Sequence, residues 1–491
     1  MKDDYTERRK IMTGRNSNII SKKLLVKTSF WYIISNFLRR AMSFITIPIF
    51  TRLMTKGEYG DFSVFASWQS IFLIICGVEI YATLNRARFD YEEGECLNSY
   101  ITSCLLLSTL ITTVMLGVYL LFPHFFDQLF LLDRKYILIM FAYLYAQPAF
   151  QMFQAKQRIE YRYKFSAALS FIMIIGSTLI AVGLVYFLDE DKLLGRILGQ
   201  YVPYVFVGLI LYVYFLRKSI TYIKGSWKYA LALGIPLVFS FLGSQILLTA
   251  DRVVVKQIGT SEEVAWLVLA ASCTHIVLIF VQSLNNAWAP WLFDKLKIEA
   301  YSEVRKTFRV YMWFIVFCTF CVLLIGPEIV KVLGGKGYQQ SVYVLPANML
   351  SGIFTALSSQ FVNLETYHKK THYAAFFTLI VAVMNVVGDV IGVLIFGYQA
   401  ACYVTVICQL ILIFMHYVAT QRLEVQMIVS VKDMTAILGI SVAFIPASLI
   451  LYRNTVIRIG FIMAIFVVGC TIIVIKRQEL TKLIRKFRSS K

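Results

Sequence analysis

Apolar runs of about twenty residues recur along the chain from residue 30 to residue 475, separated by short polar stretches. A bilayer core takes about 20 residues of helix. The runs therefore predict membrane helices near 30–51, 62–84, 99–122, 136–155, 166–187, 197–216, 229–250, 264–288, 310–333, 341–364, 373–396, 400–418, 434–452 and 456–475. The fold class they imply is all-α, a polytopic membrane protein of about fourteen transmembrane helices. No polar stretch after the first 28 residues is long enough for a soluble domain.

The polar intervals then set the orientation. Of the 48 Lys and Arg, 34 fall in the N-terminal segment, the even-numbered loops and the C-terminal tail, and 12 go with the odd-numbered loops. By the positive-inside rule both termini, and the loop at 294–309, are expected on the cytoplasmic side. The start, "MKDDYTERRK", is too polar for a signal peptide. The two remaining basic residues, Arg39 and Arg40, stand in the middle of the first apolar run.

Composition sharpens this picture. Of 491 residues 58% are hydrophobic and 15% charged, and the mean hydropathy is +0.69. The net charge of +20 is dispersed in short loops, as suits anionic lipid headgroups, so nucleic acid is not an expected partner. Most of the nine cysteines lie in apolar runs and read as small core residues. Cys318 and Cys321 form a CxxC without a redox-type context. His368 and His372 share a helix face, but no nearby carboxylate or thiol completes a metal site. No cofactor is expected. Nucleotide-binding and nucleophile-elbow motifs are absent, and the longest outer loop has about a dozen residues, so an enzyme is not expected.

A weak internal repeat links "TRLMTKGEYGDFSVFAS" with "DRVVVKQIGTSEEVAWLVLAAS". Each has an Arg, then Glu58 or Glu263, then Ala-Ser at the same offset from that Glu. Six helices separate the copies, which predicts two parallel six-helix pseudo-repeat bundles around a central cavity, with two extra C-terminal helices. The expected segments are a cytoplasmic 1–28, bundles at 29–217 and 218–420, the added helices at 421–475 and a basic tail at 476–491.

These residues carry a resemblance. "IPIFTRLMTKGEYGDFSV", "LGIPLVFSFLGSQILLTADR", "GYQQSVYVLPANMLSGIF" and "MNVVGDVIGVLIFGYQAACYVTVICQ", in that order, resemble the oligosaccharide and polysaccharide flippases of the multidrug/oligosaccharidyl-lipid/polysaccharide (MOP) exporter superfamily, over most of residues 30 to 418. The chain departs from the family pattern at Ala265-Trp266, at Gln399 and at Asp389. The resemblance implies alternating-access translocation of a polyprenyl-diphosphate-linked oligosaccharide, a capsule, O-antigen or related unit, across the bacterial cytoplasmic (inner) membrane. It implies the lipid bilayer as surroundings and a polysaccharide polymerase and glycosyltransferases as partners. The alternatives are a cation-coupled multidrug exporter of the same superfamily and a lipid II flippase.

That cargo has a diphosphate that cannot cross hydrocarbon unaided, and arginine forks suit phosphate oxygens. Arg39 and Arg40 are the first candidates for substrate binding; Arg52 and Arg252, at expected outer helix ends, are secondary ones. A different reading starts the first helix near Ala41 and lays residues 24–40 on the membrane surface. Glu79, Asp251 and Asp389 are the candidates for ion coupling or cavity lining. Asp251 can pair with Arg252; Glu79 and Asp389 can pair with an arginine, take up a proton or serve as structural polar groups.

Overall fold

The computed structural model describes residues 42, 44–91, 95–160, 163–219, 222–423 and 428–464. Among them every element is helical. A short helix, Phe44–Leu53 (α1), leads into Lys56–Gly77 (α2) and Ile80–Asp90 (α3), which together make one span. Glu95–Leu121 (α4) is followed by the short Pro123–Phe130 (α5) and then by Arg134–Ile159 (α6), Tyr163–Phe187 (α7), Lys192–Lys218 (α8) and Ser226–Ile258 (α9). Next come Ser261–Lys297 (α10), Tyr301–Leu324 (α11), the short Gly326–Gly334 (α12), Ser341–Tyr367 (α13), His372–Phe396 (α14), Gln399–Gln421 (α15), Val431–Arg453 (α16) and Thr455–Ala464 (α17). Twelve spans among the described residues are long and apolar enough to cross a membrane, and α1 and α17 are shorter apolar helices. The protein is a multi-pass membrane protein.

The chain divides into two compact units, Met1–Gln245 and Ile246–Lys491. In the first, α8 packs against both α6 and α7. Gly195 and Gly199, four apart on α8, admit α7, and Gly208 admits α6 at Ala146. A Cβ at Gly199 would lie 2.2 Å from the Ala181 Cα, so only glycine admits α7 at that distance. In the second unit α10 packs on α13, and α14 on α15. There the glycines four apart, Gly388 and Gly392, receive Val404 of α15.

The two copies of the internal repeat have the same local chemistry. Thr55 caps α2 and Glu58 returns a bond to the Thr55 backbone; Thr260 and Glu263 do the same for α10. The repeat seen in the letters is thus a reciprocal capping box, which satisfies two otherwise orphaned amides at each helix start.

Another cap ties α6 to α8. Asp191 accepts the Leu194 amide at 2.8 Å and the Tyr136 hydroxyl at 2.9 Å, and pairs with Lys135. Burial alone would push the Asp191 carboxyl up, but Lys135, the Leu194 amide and Tyr136 together outweigh it and hold the carboxyl below its ordinary value. The charged form is therefore favoured by folding, and its contribution is complete above the ordinary Asp range of about 3.9. It fades as the pH falls through the lowered value.

Two outcomes follow. Gly199→Ala is expected to lower thermal stability in detergent, with an overpacking cost of about 1–3 kcal/mol, while the same change at Gly117, which has nothing within 4 Å of an added Cβ, leaves it unchanged or raised. The melting-temperature gap between wild type and Asp191→Asn is expected to be largest near neutral pH and to close as the pH falls below the carboxylate range.

Candidate functional site

Arg39 and Arg40 lie outside the described residues. Arg52 is exposed near the end of α1 and donates from Nη1 to the Pro48 carbonyl at 2.7 Å. The sequence places Glu79 inside one unbroken span; the structure breaks that span there. Val78 and Glu79 adopt left-handed backbone, at φ 47° and 50°. A β-branched residue rarely takes this conformation, and each such position costs on the order of 1–3 kcal/mol. The break is held from outside: a Cβ on Gly234 of α9 would meet the Val78 carbonyl at 2.5 Å, so the bare Gly234 backbone lets α9 press against the turn. Glu79 itself is buried against Tyr81, and its Oε2 has no hydrogen-bond partner among the described residues.

In the second unit α9 continues to Ile258, beyond the end that hydropathy assigns to it. Asp251 and Arg252 consequently sit inside a helix and not at its tip. The Asp251 carboxylate accepts the Arg252 amide at 2.8 Å. Asp389 of α14 is fully buried, and neither of its oxygens has a hydrogen-bond partner among the described residues. The charged group that acts on it is another carboxylate, Asp251. One helical turn away, Asn385 donates to the Thr405 hydroxyl of α15 at 3.2 Å while its own amide oxygen is left buried and unpartnered. The expected pairing of Asp389 with an arginine is not seen among the described residues. What the structure assembles is a set of hard oxygen donors, two carboxylates, an amide oxygen and a hydroxyl, in which Arg252 offsets Asp251 and no cation acts on Asp389 among the described residues. Such oxygens suit a proton or a small hard cation. No cluster of three or more His, Cys, Asp and Glu forms among the described residues.

The first unit holds a half-open cavity of about 350 Å³ between α2, α6, α7 and α8. Its most regular wall is α6, where Gln147, Gln151 and Gln154 recur on one face. Gln69 of α2 and Gln200 of α8 face them.

The family described as "Polysaccharide biosynthesis protein" matches residues 25–295. The chain belongs to that family. An uncharacterized membrane protein of Haemophilus influenzae is 23% identical over 414 residues, covering 82% of this chain and 98% of the relative. The Lsg locus putative protein 1 of the same organism is 22% identical over 279 residues, 55% of this chain and 66% of its own. Among solved structures, the lipid II flippase MurJ in an inward closed conformation superposes with a TM-score of 0.72 at 14% identity, over 91% of this chain and 99% of that one. An inward-facing multidrug resistance MATE family transporter of the MOP superfamily gives 0.51 at 14% identity, over 80% and 94%. The family is thus that of polysaccharide biosynthesis proteins and the fold is the one shared by these transporters.

Three buried features escape a reading by hydropathy. Arg196, counted there as a loop residue, is buried in the first turn of α8, its guanidinium over the rings of Phe62 at 3.6 Å, Phe50 at 4.2 Å and Tyr59 at 4.9 Å. It fastens α1 and the start of α2 to α8, which gives Tyr59 of the Glu-Tyr-Gly motif a structural task. The glutamines of α6 are the second, and the spacing in "AQPAFQMFQAKQ" was their signal. Third, Glu365 of α13 and His416 of α15 form a fully buried contact at 2.7 Å, with the Phe377 ring edge-on to the imidazole at 5.4 Å. Removing one partner from such a pair strands the other. Glu365→Ala is expected to cost at least about 1–3 kcal/mol by leaving the His416 ring nitrogen buried without its partner, read as a loss of thermal stability in detergent, and Glu365→Gln, which keeps the shape and a hydrogen-bonding group, is expected to lose less.

Proposed function

We propose that the protein is a flippase that carries a polyprenyl-diphosphate-linked oligosaccharide from the inner to the outer leaflet of the bacterial cytoplasmic membrane by alternating access, with both termini cytoplasmic. The observation that carries this reading is the combination of a polysaccharide-biosynthesis family match over residues 25–295 with a flippase fold over 91% of the chain. In it the greasy tail stays in lipid, so only the diphosphate and sugars need a polar path. Arg39 and Arg40, assisted by Arg52 and Arg252, take the diphosphate. The guanidinium fork holds phosphate oxygens through charge-assisted bonds and keeps its charge at any physiological pH.

Asp251 and Asp389 supply the coupling. Two carboxylates that act on one another in a low-dielectric core are stable only when a proton or cation is shared between them or when one is neutral. Cation uptake therefore favours the arrangement in which they are close, and release favours its loosening; a gradient of that cation drives the return step. Asn385 and Thr405 complete the oxygen set. Glu79, at the strained turn of the first unit, supplies a further buried carboxylate next to a ready-made hinge. The lipid II flippase reading shares all of this machinery and differs in cargo.

Reconstituted vesicles containing a fluorescent polyprenyl-diphosphate oligosaccharide test the proposal. Arg39→Ala and Arg40→Ala together are expected to slow translocation at least about tenfold, since one charge-assisted contact contributes roughly 1.5–3 kcal/mol; Lys at either site restores part of it. Asp389→Asn keeps cargo binding and flattens the dependence of turnover on the imposed sodium or pH gradient. Wild-type translocation by the double Ala variant would refute the arginine assignment, and an unchanged gradient dependence of Asp389→Asn would refute the coupling assignment.

A further inference from the structure

The cavity of the first unit has a chemistry that neither a phosphate, a lipid tail nor a drug cation needs. Gln147, Gln151 and Gln154 project from one face of α6, and Gln69 and Gln200 oppose them from α2 and α8. None of the residues lining it is charged. A diphosphate has nothing cationic to bind there, and an organic cation finds no carboxylate to offset its desolvation. An acyl chain would strand five amides in hydrocarbon surroundings.

Each primary amide carries a carbonyl acceptor and two N–H donors side by side, which matches the donor-acceptor pairs of neighbouring sugar hydroxyls. One such acceptor already lacks a partner: the Gln147 amide oxygen is buried, with no hydrogen bond among the described residues, on a side chain only 9% exposed. A buried amide oxygen without a partner costs on the order of 1–3 kcal/mol, which a ligand hydroxyl would recover. Other amides are pre-set: Gln154 donates to Ser170 Oγ at 2.8 Å, and Gln69 accepts from Tyr201 at 3.4 Å.

Aromatic rings complete the wall. Tyr143 meets Tyr201 edge-to-face at 4.9 Å and Phe150 meets Tyr204 in the same way at 5.5 Å. Rings locked in this manner present apolar faces to a ligand at little cost in side-chain entropy, and the C–H face of a pyranose stacks on such surfaces. The volume, about 350 Å³, falls in the range of small-ligand sites, roughly 300–1,000 Å³.

We infer that this amide-and-tyrosine cavity is a subsite for an uncharged sugar of the transported headgroup, selecting the glycan by its hydroxyls independently of the diphosphate. The inference rests on the flippase reading for its cargo. Because Gln and Tyr stay neutral across physiological pH, recognition here is insensitive to pH and salt, unlike recognition of the diphosphate.

The test uses the full-length protein in lipid nanodiscs and three probes: bare polyprenyl diphosphate, the same lipid carrying two N-acetylglucosamine residues, and the soluble N-acetylglucosamine dimer. Native mass spectrometry reads lipid affinity, and saturation-transfer NMR reads contact with the soluble sugar. The wild type is expected to prefer the glycosylated lipid and to contact the soluble dimer. Gln147→Leu with Gln151→Leu is expected to lower affinity for the glycosylated lipid about tenfold, the equivalent of one lost buried hydrogen bond, to abolish the sugar contact and to leave binding of the bare lipid unchanged. Unchanged bare-lipid binding also reports that the variant is folded; Gln151→Glu, of equal size, serves as the second variant. Equal binding of both lipids by the wild type, equal losses for both in the variants, or a soluble-sugar contact that survives the substitutions each overturns the subsite. If the wild type binds neither lipid, the flippase reading fails, and the soluble dimer still decides whether the cavity holds a sugar.

Discussion

Hydrocarbon offers no hydrogen bonds, so each polar group placed at the depth of the membrane helices must be answered by another part of the chain or by something the protein carries. Much of this structure is organised around that requirement. Hydroxyls are answered locally: Ser67, Thr112 and Thr319 each donate to the carbonyl four residues earlier on their own helix. Others are answered across helices, as where Thr83 meets the Tyr100 hydroxyl at 2.7 Å or Ser108 donates to the Cys76 carbonyl at 2.8 Å. Against this background the unanswered groups stand out. Among them are Glu79 Oε2, the Gln147 amide oxygen, the Asn385 amide oxygen and both oxygens of Asp389.

These positions share a further property, which is that the backbone near them is arranged at some cost. Glu79 lies at two successive left-handed residues, and Asp389 sits beside glycines that bring α15 against α14. Gln147 is followed by Pro148 inside α6, where the missing N–H removes a helix bond. Strain of this kind persists only where surrounding packing enforces it. Gly234 against the Val78 carbonyl and Gly388 against Val404 provide that enforcement.

How far the sequence reveals this depends on which physical signal each feature leaves. Membrane helices average hydropathy over about twenty residues, so their existence and order were legible, and α2 to α16 follow that order. The repeat was legible because a capping box needs a hydroxyl and a carboxylate three apart, and Thr55–Glu58 and Thr260–Glu263 both have them. The break at Val78–Glu79 was not legible: Gly77 precedes it, but both left-handed residues carry side chains, and the contact that packs against the turn comes from Gly234 of α9, which is remote in sequence. Arg196 was misread for a related reason. Its burial comes from Phe50, Tyr59 and Phe62, which lie far from it along the chain. Asp389 and Asp251 were each legible as candidates, but their mutual proximity was not.

The unanswered groups also differ in kind, and the differences are mutually exclusive as binding chemistry. A neutral amide site discriminates hydroxylated ligands from charged ones because desolvating a phosphate there has no compensation; a site built of carboxylates repels phosphate outright and accepts only a proton or a cation; guanidinium groups do the reverse. On the proposed reading, a carrier of a dianionic linker and an uncharged glycan that is driven by a cation would need at least one carboxylate kept from its guanidinium groups, since an ion pair between them would neutralise both. The first unit concentrates neutral amides and tyrosines around its cavity, and the second concentrates carboxylate, amide and hydroxyl oxygens about Asp389. An arginine introduced beside Asp389 would satisfy that carboxylate with an ion pair, the contact that the described residues withhold from it.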